Sequence, residues 1–520
     1  MNKFHSIWTV GMLACALSAA WAQDSTTPAP STEATPQSSQ QQPVPAYGQE
    51  GAQTPITENP PLSGLDTPSL EPHAAPLSYL QPGATFSESA DSNIDTTLGG
   101  QSVKSVSRGL GSLVLKRLWS HYDLALDYVG GVGYYDTKGQ GLKQLQQMDL
   151  EQKIIWKRGQ FAVRDSFSYL PEGNFGGAYG SLGSLGIGSL GGTAFSGFGS
   201  GAAFGTFGLA PRILNISMAD ITLNLTPKSA LTAAGGYAFT HFLGNETTGA
   251  QFIGSAQTSG QVGYDRILTP HTQIAVVYGY QDFDFNVLGA TFHSNVVQGM
   301  YGHRISGRMD LLLGAGPQFT RIESACTLED ALFGVAGCTV DQSGNPVGSI
   351  PNNKIGVAAQ ARLRYKFPKT NLDLSFVRFE SSGSGLFAGA ETNIVRLTAE
   401  RPLTRVWSAF TDSGFAHNSR LQSLSPAELK TCLLPGQTST AQPPPPPCPG
   451  AEANIYSYGF VGAGVHRAFG RTLHGYLSYQ FNELAFDHSY CGGLPVCSRI
   501  SNRNVATFGL DWTPRPIRLD

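Results

Sequence analysis

Long hydrophobic runs are missing from most of this chain. After the N-terminus no segment holds 18 or more consecutive apolar residues, the length a helix needs to cross a bilayer, so a helical membrane protein is excluded. Cations are missing from a long stretch: between Asp24 and Ala90 there are seven acidic residues and no Lys or Arg. Cysteine is scarce, with seven in 520 residues, no Cys-x-x-Cys pair and scattered histidines. That pattern offers no metal site, and no cofactor is expected. Charged residues make up only 14% of the chain and the formal charge is -3, which leaves no basic footprint for a nucleic acid.

What is present is alternation. From Leu473 to Phe481, Leu473, Leu477, Tyr479 and Phe481 share one face, and His474, Tyr476, Ser478 and Gln480 the other. Segments of about ten residues with this period, joined in turn by short and long connections, are the pattern of a transmembrane β-barrel with lipid outside and water or loops inside. The expected fold class is all-β: an antiparallel up-and-down barrel behind a disordered N-terminal leader.

Residues 1–22 read as a secretory signal peptide: Lys3, an apolar stretch from Ile7 to Ala20, and an Ala20-Trp21-Ala22 cleavage site. Cys15 falls in the discarded part. Residues 23–94 read as a periplasmic linker, because twelve prolines between 24 and 90 among many Ser, Thr and Gln leave too little apolar area to offset the entropy of ordering. The barrel is expected over 95–520. From Lys104 onward the balance reverses to 33 basic against 28 acidic residues.

Tight turns are expected at Ser120-His121, Arg158-Gly159, Pro227-Lys228, Thr269-Pro270, Ser306-Gly307, Pro368-Lys369, Pro402-Leu403 and Gly470-Arg471. Longer loops are expected near 136–147, 171–211, 243–252, 286–290, 323–353, 381–390, 419–451 and 488–501. These bound seventeen strands. Single-chain bacterial barrels have an even number, so an upward strand is expected within Asp95 to Ser105, giving about 18, with 16 as the other even count.

The six cysteines after Cys15 fall two to a loop: Cys326 and Cys338, Cys432 and Cys448, Cys491 and Cys497. Local pairing would give three disulfide staples on the oxidising side. The loop over 171–211 is Gly-rich with Leu and Phe at intervals, and three readings stand: it folds into the lumen, it presents an apolar surface outside, or it is a mobile Gly-rich loop with no role. Predicted inward residues include Arg164, Ser166, Ser168, Asp373, Ser375, His474, Ser478, Gln480 and Asn482. Gly131-Val132-Gly133 has no helix after it and is no dinucleotide fingerprint. His241, Asp284, His293, His417, Asp487 and His488 lie near strand ends, but spacing places none of them as a nucleophile with its base, so no enzyme is expected.

Phe508, Leu510 and Trp512 resemble the C-terminal signal by which outer-membrane barrels are recognised for insertion, although eight residues, Thr513 to Asp520, follow. The chain from about 103 to Trp512 is similar to porin-like outer-membrane β-barrel proteins of an uncharacterised family in Gram-negative-type bacteria. Trp156-Lys157-Arg158-Gly159-Gln160 and Phe167-Ser168-Tyr169-Leu170-Pro171-Glu172-Gly173 are similar to hairpins in such barrels. The resemblance implies an outer-membrane location, contact with membrane lipid and lipopolysaccharide, assembly by the barrel machinery, and passive diffusion of small solutes. Association with further copies of the chain stays open. The alternative is a non-conducting adhesin or scaffold that uses stapled external loops.

Overall fold

A computed structural model describes residues 62–63, 78–94, 102–136, 141–171, 211–243, 253–285, 290–326, 331–333, 335, 337–342, 344–381, 386–421, 453–491 and 498–519. Its strands are β1 (Tyr79–Asp91), β2 (Lys104–Leu118), β3 (Tyr122–Tyr135), β4 (Gly141–Trp156), β5 (Gly159–Leu170), β6 (Arg212–Thr226) and β7 (Ser229–Phe242). Next come β8 (Ser255–Thr269), β9 (Thr272–Phe285), β10 (Ala290–Ser306), β11 (Met309–Ala325), a short β12 (Cys338–Val340), β13 (Pro346–Lys366) and β14 (Asn371–Ser381). The chain ends with β15 (Ala390–Pro402), β16 (Trp407–Arg420), β17 (Ile455–Ala468), β18 (Leu473–Phe486), β19 (Ile500–Trp512) and a short β20 (Ile517–Arg518). All but β12 and β20 form one closed antiparallel barrel of 18 strands, each paired with its sequence neighbours, with β1 pairing both β2 and β19.

Closure depends on a strand that the sequence pattern misplaces. The first strand is Tyr79–Asp91, not a segment within Asp95 to Ser105, so the barrel starts inside what composition assigns to the linker. Its outward positions are Leu80, Pro82, Ala84, Phe86, Glu88 and Ala90, and its inward ones include Gln81, Ser87, Ser89 and Asp91. A proline and a carboxylate on the lipid face blur the alternation, while the pairing with β2 and β19 supplies the backbone hydrogen bonds that the bilayer cannot. The seam is also tied by side chains: Arg503 Nη2 lies 2.5 Å from Asp91, Thr85 Oγ1 donates to Asp511 at 2.8 Å, and Ser89 Oγ is 3.0 Å from Thr507 Oγ1. The expected loop near 136–147 is also too long, since β4 begins at Gly141. Gln144 and Gln146 stand at outward positions there, where an apolar residue would have signalled a strand.

The outer surface is a lipid band. Val132, Val163, Val262, Val276, Val297, Leu313, Val461, Leu477 and Phe508 are exposed along its middle. The four barrel tryptophans, Trp119, Trp156, Trp407 and Trp512, are exposed beside the short turns, as expected of an interfacial aromatic girdle. Arg117 lies over the Trp119 ring at 5.2 Å and Arg467 over Trp407 at 5.1 Å; a guanidinium there reaches the headgroups while its stem stays on apolar surface. Asp165 breaks the band, but it accepts Ser217 Oγ at 2.5 Å and Asn215 Nδ2 at 3.3 Å, so its charge is partly screened from lipid. Phe508, Leu510 and Trp512 point outward, and the residues beyond Trp512 lay Ile517 and Arg518 against Leu80 and Tyr79.

Cys326 and Cys338 form a disulfide across a Cα–Cα distance of 5.6 Å at the base of the β11–β13 loop. Cys432, Cys448 and Cys497, the side chain of Cys491 and the Gly-rich loop lie outside the described residues. A staple of this span restricts the unfolded chain by about 3 kcal/mol in the chain-entropy model, and it sits above the wall. Replacing Cys326 and Cys338 by Ser should therefore raise protease cleavage of that loop while the unboiled protein keeps its folded gel mobility. Loss of the folded band would contradict a purely local staple.

Candidate functional site

Alternation sends every second side chain of the wall inward, and on most strands this inner set is the buried one. On β8, Gln257, Ser259, Gln261 and Asp265 are buried, while Val262 and Tyr264 between them are exposed outside. Arg164, Ser166, Gln480 and Asn482 are inner-face residues of this kind. Asp373 and His474 also belong to the inner face through their register, opposite Arg364 and Asp511. The six come from three strands, β5, β14 and β18, and do not converge on one point.

The inner wall divides into three surfaces. The first is charged and internally paired. Arg164 Nε lies 2.9 Å from Glu151 and Arg164 also bonds Asp220, while Lys153 Nζ lies 2.7 Å from Glu151. Across the barrel, Arg396 Nη2 is 2.8 Å from Asp412 and Arg362 Nη2 is 2.7 Å from Asp373. Buried charges require such partners, since an isolated one would cost several kcal/mol. Alternation places these residues inside, but it carries no sign of which acid meets which base.

The second surface, on β8 to β10, is mostly uncharged and rich in amides. The buried atoms Gln257 Nε2, Ser259 Oγ, Gln261 Oε1, Gln273 Nε2 and Gln298 Oε1 have no hydrogen-bond partner among the described residues. Such atoms are uncommon in folded proteins and ask for a partner. Leu62 and Ser63 of the leader lie against this wall. The Leu62 N–H donates to Asp265 Oδ2 at 3.2 Å, and the Ser63 carbonyl accepts from Thr232 Oγ1 and Gln261 Nε2, each at 2.8 Å. Composition gave no hint of this contact, because it assigns the whole of 23–94 to a linker.

The third surface is apolar and belongs to the long-loop end. Phe379, Ile394, Tyr456, Tyr458, Phe460, Leu484 and Phe486 pack with Leu386 and Phe387, and Phe283, Phe285, Phe292 and Ile322 pack with Ala388. Residues 386–388 therefore join two inner walls. Gly389 makes this possible: its φ is +82°, and a Cβ there would come within 3.1 Å of Phe292. Arg420 lies over the Phe387 ring at 4.5 Å, which adds a cation–π contact to the burial. The sequence pattern places 381–390 in a loop and carries no sign that residues 386–388 turn inward.

Among the described residues, the polar side chains near the strand ends form local pairs. His293 Nδ1 is 3.0 Å from Asp282 on the outer face, and His417 Nδ1 is 3.1 Å from Ser457 Oγ, also outside. Asp487 accepts Ser489 Oγ at 2.7 Å and the Asn454 N–H at 3.2 Å, which orders its loop.

A closed barrel with an apolar band and aromatic girdle outside and polar side chains inside defines the class: this is a transmembrane β-barrel of the outer-membrane type. No protein-family model and no curated protein matches the chain. Among solved structures it is similar to OccAB3 of Acinetobacter baumannii, at 8% identity over 85% of this chain and 99% of that one, with a TM-score of 0.37. It is similar to OccK2 (OpdF) of Pseudomonas aeruginosa in complex with glucuronate, at 9% identity over 85% and 98%, TM-score 0.38. A BenF-like porin from Pseudomonas fluorescens Pf-5 matches at 9% identity over 85% and 99%, TM-score 0.37.

Proposed function

We propose that the barrel is a porin-like channel for passive diffusion of small solutes. One observation carries this reading: the inner face is polar or charged on strand after strand, from Gln147, Asp149 and Glu151 on β4 to Ser478, Gln480 and Asn482 on β18. A scaffold needs only an apolar exterior and would gain by filling its interior with apolar side chains, whereas barrels of this strand number enclose water. Arg164, Ser166, Asp373, His474, Gln480 and Asn482 are read as lining the path. Most of the inner arginines are matched by acids, so charge selectivity should be slight. Phe508, Leu510 and Trp512 are read as the strand that the assembly machinery recognises.

Purified protein in planar bilayers should give stable conductance steps with weak ion preference. A folded barrel that remains silent would overturn the channel reading and favour a surface scaffold.

A further inference from the structure

The contact between the leader and the inner wall has the form of a recognition site for a peptide unit. Asp265 accepts the N–H of Leu62, and Thr232 and Gln261 donate to the carbonyl of Ser63. The Leu62 side chain packs against the cluster of Ala275, Val277 and Met300. Two glycines make room: a Cβ at Gly302 would stand 2.9 Å from the Leu62 side chain, and one at Gly263 would stand 2.5 Å from Ser63 Cβ. Ser63 is fully buried, yet its Oγ has no partner among the described residues, nor do the buried Gln261 Oε1 and Ser259 Oγ on the same wall. The fit to backbone groups and to an apolar side chain is close, while the fit to the serine hydroxyl is not. This is what a site of broader peptide chemistry would show with one particular occupant.

We propose that the inner wall of β7 to β11 is a binding site for short peptides whose first residue is apolar, and that Leu62–Ser63 is its tethered occupant. A free peptide of this kind and the leader then exclude one another. Its unblocked amino group would meet the Asp265 carboxylate, an ion pair that the leader's amide cannot make. This goes beyond passage of small solutes, and its test does not require the barrel to conduct.

The test uses the full-length barrel carrying Ser63→Cys, labelled with a membrane-impermeant maleimide, with the Ser63 protein setting the background. Labelling should be slow without peptide. It should rise at least tenfold, and saturably, with leucyl-serine amide, and stay unchanged with glycyl-glycine amide. Gly302→Leu, which fills the leucine recess, should make labelling fast without any peptide while the folded gel mobility persists. Fast labelling of the parent without peptide, slow labelling that leucyl-serine amide leaves unchanged, or slow labelling in the Gly302→Leu barrel would each overturn the proposal.

Discussion

Removing residues 79–91 should abolish the folded barrel, although composition places this segment in a linker. β1 makes thirteen register pairs with β2 and eight with β19. Both neighbours run antiparallel to β1, so they are parallel to each other and cannot rejoin in the antiparallel pattern. Two strand edges would then face lipid, at a cost of several kcal/mol for each unsatisfied backbone group. The measurement is the gel mobility of unboiled protein after refolding in detergent, together with circular dichroism. Removal of 24–60, by contrast, should leave the folded band in place. A compact, heat-modifiable barrel without 79–91 would contradict the closure described above.

Arg164→Ala should be the most destabilising single change on the inner wall, by about 3–5 kcal/mol, because it strands buried carboxylates that the guanidinium holds. Glu151 keeps Lys153 as a partner, so Asp220 carries most of the penalty. Urea unfolding of the barrel in lipid vesicles checks the size. Adding Asp220→Asn should recover most of the loss, since a neutral amide no longer demands a cation. A loss below about 1 kcal/mol, the range of an exposed ion pair, would mean that water reaches the cluster freely.

The position of β1 and the early start of β4 escape the sequence pattern for one cause. Alternation is legible where the lipid face is apolar, as at Leu473, Leu477, Tyr479 and Phe481, because the bilayer enforces it. β1 escapes notice because Pro82 and Glu88 stand on that face. Glu88 accepts a 2.5 Å hydrogen bond from Ser107 of β2, and Pro82 sits in a strand whose neighbours supply the order. At β4, Tyr128 OH reaches Gln146 at 3.4 Å across the outer face. For Glu88 and Gln146 a partner from another strand makes a polar outward residue tolerable, and no window of local sequence contains that partner.

The same limit governs the inner wall. The period alone puts Arg164, Ser166, Asp373, His474, Gln480 and Asn482 on the inner face, since a strand's side chains must alternate. The partners of Arg164 are 13 and 56 residues away, and only the register of β4, β5 and β6 brings them together. The contact of Leu62 with Asp265 spans 203 residues. Phe387 turns inward because aromatic walls from distant strands await it, and Gly389 permits the turn.

By itself, then, the sequence determined the solvent on each face, the antiparallel hairpin order, an even strand number near 18 and the local Cys326–Cys338 pair. Each of these follows from a period or a short separation along one chain. Tertiary structure decided which strand closes the barrel, which acid meets which base, and where the leader and the 386–389 segment rest. Those outcomes depend on contacts whose favourable energy appears only when segments far apart in the chain are held side by side by the closed sheet.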